Sequence, residues 1–181
     1  MDTIIKIPYA VFNDWDLLQQ FLERKGNPRY EIVGDVNLGN RKDIFNLGNL
    51  VRVYGYLDLE GTPIQSLGRL EYVGGSLSLD QTPIKSLGDL EYVGGKLDLY
   101  YTPTQSLGNL VRVDGYLNLR NTPIKSLGNL EYVAGSLDLI RTPIESLGNL
   151  KSVGDEIMLS KDHQIPPEQL TKFKDQIEYY Y

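Results

Sequence analysis

From Leu47 onward, apolar residues fall on six fixed positions of a 20-residue unit, in the frame LGxLxxVxGxLxLxxTPIxS. The copies begin at Leu47, Leu67, Leu87, Leu107, Leu127 and Leu147, and a Thr-Pro step recurs at Thr62, Thr82, Thr102, Thr122 and Thr142. A unit this short cannot bury its own apolar side, so neighbouring units must stack and share one core. The stretch VxGxLxL alternates with period 2, which predicts a strand turning Val73, Leu77 and Leu79 inward in the second copy. Proline at position 17 of the unit has no N–H and suits a corner, or the first residue of a short second strand, PIxS. Glycines at positions 2 and 9 supply either positive φ or room for close approach between coils. No helical period is visible inside the unit.

These signals predict a mainly β, single-domain parallel β-solenoid of 20-residue coils. Leucine-rich units usually need more length for a convex segment, whereas proline and glycine close this coil without a helix. A degenerate coil precedes the regular ones, because residues 30–46 carry the same Val-Gly, Val-x-Leu and Ile signals with small slips in length. Two copies share VRVxGY and three share EYVxG, a pattern consistent with an older 60-residue duplication. Open solenoid ends expose strand edges, so both should be capped. At the first, Asn13 or Asp14 is placed to N-cap a helix through WDLLQQFLERK, with Trp15, Leu18, Phe21 and Leu22 as its apolar stripe and Gly26 at its stop. At the second, PPEQLTKFKDQIEYYY predicts a helix with Leu170, Phe173 and Ile177 on one face. The expected organisation is an N-terminal cap at 1–29, the solenoid at 30–160 and a C-terminal cap helix at 161–181.

Charge and composition narrow the function classes. Lys and Arg number 18 against 24 Asp and Glu, which disfavours nucleic acid as a partner, since phosphate binding needs a clustered basic surface. No apolar run approaches the length of a membrane span, and the first residues lack the basic start and unbroken apolar stretch of a secretory signal. Cysteine is absent, which removes disulfides, thiolate zinc sites and cysteine nucleophiles, and the expected location is cytoplasmic.

The motif VxGxLxLxxTPIxSLGxL resembles the coil of receptor L domains, the right-handed β-helical modules of growth-factor receptors and fungal wall proteins. It is closer still to short leucine-rich-like repeat proteins of bacteria and their phages. The resemblance covers residues 30–160 and implies a fold, with no shared catalytic residues to carry over. Receptor L domains are typically extracellular and cysteine-capped; with no Cys here, neither that address nor hormone binding is transferred.

Function should lie where the repeat departs from itself, because core positions recur for packing reasons alone. The outward columns of the predicted strand are position 10 (Tyr56, Ser76, Lys96, Tyr116, Ser136), position 12 (Asp58, Ser78, Asp98, Asn118, Asp138) and position 14 (Glu60, Asp80, Tyr100, Arg120, Ile140). From these columns, Tyr56, Asp58, Glu60, Asp80, Lys96, Asp98, Tyr100, Tyr116, Asn118, Arg120 and Ile140, together with Tyr101, form a partly aromatic, acid-flanked patch of twelve residues, and Tyr and Arg are frequent interface anchors. The alternative is that strand-forming Tyr simply covers a sheet. The expected function is a non-catalytic protein-interaction module, with the resemblance implying a phage or bacterial-conflict setting. A carbohydrate or small-ligand binder and a self-assembling subunit, as monomer or homodimer, are the other readings.

No cofactor or metal is expected. Calcium-binding β-rolls place Asp in glycine-rich turns of nine-residue repeats, which this chain lacks. Glu60 and Asp80 approach the spacing of a glycosidase pair without an evident groove, and the sole histidine, His163, has no Cys partners. The Thr and Ser columns read as hydroxyl ladders that satisfy backbone groups at corners, with no base beside them.

Overall fold

The computed structural model describes residues 4–181 and forms a single parallel β-solenoid of about eight turns. Two eight-stranded parallel sheets run its length. Sheet A starts with Ile5–Pro8 and continues through Tyr30–Val33, Leu50–Val53 and the position 6–7 strands down to Ser152–Val153. Sheet B starts with Val36–Asn37, continues through the position 11–12 strands and Ile157–Ser160, and ends with Ile177–Tyr180. Register between regular coils is in phase, as in Val73↔Val93 and Leu77↔Leu97, so each inward column stacks residue on like residue.

The predicted VxGxLxL strand is therefore two strands, broken at positions 8–10. Backbone sterics explain the break. A Cβ added at Gly75 would lie 2.8 Å from the Tyr56 nitrogen, and one at Gly115 would lie 2.7 Å from the Gly95 carbonyl carbon. Position 9 is thus glycine because successive coils touch backbone to backbone there, while position 2 is glycine because its φ is near +60°, which acts alone at Gly88 and Gly128 and together with close backbone at Gly108 and Gly148. A second left-handed corner falls at position 15, occupied by Gly61, Gln81, Tyr101, Asn121 and Arg141, all with φ between 56° and 61°.

The remaining side of the coil, PIxS, is extended but not a sheet; it makes only the isolated bridges Ser86↔Ser106 and Ser126↔Ser146. Polar side chains hold its corners. Each Thr of the Thr-Pro step is buried and donates its hydroxyl to the carbonyl three residues earlier, as from Thr82 Oγ1 to Leu79 O at 2.6 Å. Each position 20 Ser accepts the N–H of the glycine two residues on, as Ser106 Oγ does from Gly108 at 3.0 Å. The hydroxyl columns are therefore the backbone-satisfying ladders expected of them.

Both ends carry helical elements. Helix α1 (Trp15–Arg24) is capped by Asp14, whose Oδ1 accepts the N–H groups of Asp16 (2.8 Å) and Leu17 (3.0 Å). Its buried face is Trp15, Leu18 and Leu22, with Phe21 half-buried against the core. Gln19 reaches the Tyr30 hydroxyl, which donates to Leu47 O at 2.9 Å and so ties the cap to the first regular coil. The strand Ile5–Pro8 before α1 was not anticipated by the helical reading of this cap. At the far end the helix is shorter than expected: α2 (Pro167–Leu170) runs into a 3-10 turn at Thr171–Phe173 that buries Leu170 and Phe173. Ile177–Tyr180 then leaves the helix and pairs in parallel with Ile157–Ser160. The alternation of apolar and polar residues in QIEY suits that pairing, and no helical turn follows Phe173 to carry Ile177 onto the helix face.

The two kinds of glycine predict different sensitivities. Gly115→Ala should destabilise the protein by about 2 kcal/mol or more, because backbone must move to admit the methyl group. Gly128→Ala meets nothing within 4 Å and should lose only about 1 kcal/mol, from left-handed strain. Urea denaturation of the two variants measures the difference.

Candidate functional site

The twelve residues singled out from the sequence do not share one flat face. Tyr56, Lys96 and Tyr116 (position 10) flank the strands of sheet B, whereas Asp58, Asp98 and Asn118 (position 12) lie within them. Glu60, Asp80, Tyr100 and Arg120 (position 14) instead stand in the turn that follows, with Tyr101 at the left-handed corner. Ile140, read as an exposed contact, is buried at 2% relative exposure; it follows the three-residue strand Leu137–Leu139, where even Asp138 is buried. It is removed from the surface on that ground.

Position 12 has a structural task. Asp58, Asp98, Asn118 and Asp138 each accept, through Oδ1, the N–H of the residue two further on, at 2.9–3.1 Å. These Asx turns bend the chain out of sheet B and into the left-handed corner. Further bonds engage the same column. Asp98 receives Asn118 Nδ2 at 2.9 Å and Lys96 Nζ at 2.6 Å, while the Tyr116 hydroxyl donates to Asp138 at 3.1 Å. Burial first, and the Asp138 carboxylate second, raise the Tyr116 pKa well above its usual value. Among the described residues, no group of three or more such side chains stands close enough to hold a metal ion.

Position 14 and the corner are freer. None of the ion pairs among the described residues includes Arg120. Tyr101 is 61% exposed and its ring meets Tyr100 edge-on, with centroids 4.8 Å apart. The Tyr101 N–H donates to Arg120 O at 3.3 Å, so the aromatic pair and the guanidinium belong to adjacent coils at one corner. Tyr56 is 40% exposed but sits two coils away, roughly 10 Å along the axis. On the same edge, Glu60 faces Asp80, and that like charge, ahead of partial desolvation, raises the Glu60 pKa.

A second surface was missed by the columns chosen from the sequence. On sheet A, Tyr54, Tyr72 and Tyr92 form a ladder, with centroid separations of 6.0 and 4.9 Å and the last pair nearly parallel at 12°. Lys6 Nζ stands 4.1 Å from the Tyr54 ring, and the Tyr92 hydroxyl donates to Asp114 at 2.6 Å. That hydrogen bond, aided by Arg112, holds the Asp114 carboxyl below its usual pKa. Charges on this face pair internally: Glu71 with Arg29 at 3.2 Å, Lys151 with Glu131 at 2.7 Å. For Tyr72 and Tyr92 the signal was legible in EYV, where an inward Val forces its neighbour outward, but its regularity made it read as scaffold; Tyr54 follows its Val in VRVYG and carries no such signal.

Clefts lie at both ends of the solenoid. One, of about 370 Å³, is lined by His163, Pro167, Leu170, Ile177 and Tyr179 at the C-terminal end. Another, of about 400 Å³, lies between α1 and the first coils beside Gln19, Tyr30 and Asn49. No helix among the described residues is long and apolar enough to cross a membrane. In comparisons with known proteins, no family model, curated protein or solved structure matches the chain.

The like-charge repulsion of Glu60 by Asp80 predicts a pH dependence. A raised folded pKa means the folded chain binds the Glu60 proton more tightly than the unfolded one, so this group's contribution to stability falls as pH rises from the ordinary glutamate value through the raised one. Glu60→Gln should remove that part of the pH dependence and leave the protein at least as stable at pH 7. Thermal melts across pH 4–8 check it; a variant less stable at pH 7 would contradict the repulsion.

Proposed function

We propose that the chain is a non-catalytic protein-interaction module whose contact surface centres on the corner formed by Tyr100, Tyr101 and Arg120 and extends across sheet B toward Tyr56. One observation carries this reading: Tyr101 holds a left-handed φ of 56° while its ring stays exposed. The same corner is Gly61 in the first regular coil and Asn121 in the fourth, residues that adopt such a φ with less strain. Gln81 and Arg141 share the conformation, so strain alone does not single out the site. What distinguishes the third coil is an aromatic pair in that strained place, beside a guanidinium with no ion-pair partner among the described residues. Tyr and Arg supply large contact area with little loss of freedom, the usual chemistry of interface hot spots. Strain retained at an exposed side chain also fits a role outside the fold.

A cytoplasmic setting, and one of bacterial or phage conflict, belong to the same proposal and rest on the missing cysteines and on the resemblance of the coil. A carbohydrate-binding reading draws on the same corner, since Tyr100 and Tyr101 share a coil with Asp98, lie beside the coil of Asp80, and offer aromatic rings for stacking on a sugar.

The expected outcome separates binding from folding. Tyr101→Gly should raise stability by about 1 kcal/mol in urea denaturation by relieving the left-handed strain. The double variant Tyr101→Gly, Arg120→Ala should lose partner capture by at least about tenfold while keeping the wild-type circular dichroism spectrum. Capture that is unchanged by the double variant would overturn the reading, and retention by a glycan array instead of a protein bait would move it to the carbohydrate alternative.

A further inference from the structure

The two ends of the solenoid treat their open sheet edges differently. At the N-terminal end, Ile5 N–H donates to Arg29 O at 2.9 Å, so Ile5 and Ile7 turn their backbone polar groups toward the neighbouring strand and Lys6 and Pro8 turn theirs outward. Proline has no N–H to offer and Lys6 places a charge beside that edge, so it is a poor template for another strand.

The edge of Ile177–Tyr180 carries no such protection. Ile157 N–H donates to Gln176 O and Lys161 N–H donates to Tyr180 O, which turns the polar groups of Glu178 and Tyr180 toward the interior strand. Those of Ile177 and Tyr179 therefore point outward, along an edge that sheet B does not continue. Tyr179 is in register with Leu159, in the column whose earlier members are fully buried, yet it is 48% exposed and stacks only on His163 at 5.9 Å. Beside it opens the apolar cleft bounded by Pro167, Leu170 and Ile177. Among the described residues, a strand edge and an inward column thus both stop without a cover.

We propose that a second copy of this chain covers this edge, by antiparallel pairing of the two Ile177–Tyr180 strands about a two-fold axis. Of the registers that keep inward residues facing inward, two overlap at least three residues of each Ile177–Tyr180 strand. With the axis at Glu178, two carboxylates stand directly opposite each other, which is unfavourable. With the axis at Tyr179, the two Tyr179 residues exchange both backbone hydrogen bonds, Ile177 faces the partner's Tyr181 on the inner side, and Glu178 faces the partner's Tyr180 on the outer side. This register sets no like charges opposite each other, brings aromatic and β-branched residues together, and extends sheet B into the other molecule. Charge therefore selects the Tyr179-centred arrangement. A four-residue strand covers little area, so the dimer is a weak one, assembling at micromolar or higher concentration.

Sedimentation velocity from about 10 µM to about 1 mM should show a concentration-dependent shift from one to two chain masses. Tyr179→Pro removes an N–H that no bond within the chain uses, and should move the midpoint upward by at least about tenfold while the melting temperature stays within a few degrees. Because the chain has no cysteine, disulfide trapping reads the register directly. Tyr179→Cys places two Cα atoms about 5.5 Å apart and should cross-link rapidly, whereas Glu178→Cys in the same register places them beyond about 7 Å and should not. Should Tyr179→Pro fail to fold, the cysteine pair decides alone. A monomer throughout the range, a dimer unaffected by Tyr179→Pro, or faster cross-linking through Glu178→Cys would overturn the proposal. So would a monomer whose edge instead takes up an unrelated extended peptide.

Discussion

Everything in this fold depends on the spacing that backbone hydrogen bonds impose between one coil and the next. Parallel coils lie about 4.8 Å apart. At that distance, the bend at position 9 between the two sheets brings backbone against backbone and leaves no space for a Cβ between regular coils. Gly55, Gly75, Gly95, Gly115 and Gly135 meet that condition, and a Cβ at Gly135 would stand 3.0 Å from the Gly115 carbonyl carbon. In-phase stacking then gives each inward column the same surroundings in every coil, so Leu, Val and Ile recur where the core is.

Turning the chain without helices leaves backbone groups that must find partners, and short polar side chains supply them locally. Thr, Ser and Asx residues each serve one corner, two or three residues from their own position. This has a consequence for function. The acidic column at position 12 presents carboxylates in a row, but each of Asp58, Asp98 and Asp138 is committed to an N–H of its own coil. The groups left to meet a partner stand one step later, at the corner, where the exposed Tyr101 ring and the Arg120 guanidinium answer to no repeated requirement of the fold.

The ends divide the work of closure between a strand and a helix. At the N-terminal end the strand Ile5–Pro8 extends sheet A and α1 follows it; at the C-terminal end α2 and its 3-10 turn lead into a strand that extends sheet B. Gln176 completes the second cap, donating to the carbonyls of Val153 (2.6 Å) and Asp155 (2.8 Å) beside the last strand of sheet A. Sheet A is thus finished with a side chain, while sheet B ends in open backbone.

Period and polarity alone determined that the chain is a parallel solenoid, that its coils are 20 residues long, that a degenerate coil begins near Tyr30 and that Thr and Ser serve the corners. These follow from rules each coil obeys with its own residues and its immediate neighbours, so a single sequence contains them. Tertiary structure decided the rest. The break of VxGxLxL at positions 8–10 arises from contact between coils, which an alternating pattern does not register. Ile140 became buried, outside the main core cluster, although its column is partly exposed elsewhere, and QIEYY became a strand because an unpaired edge of sheet B was there to receive it. The Tyr72–Tyr92 stack assembled only when residues 20 positions apart came into register, and Tyr54 joins it from two positions past Arg52, the register partner of Tyr72. Local rules repeat and can be read along the chain; the ends, the contacts between coils and the exposed edge are set by what lies next to each residue in space.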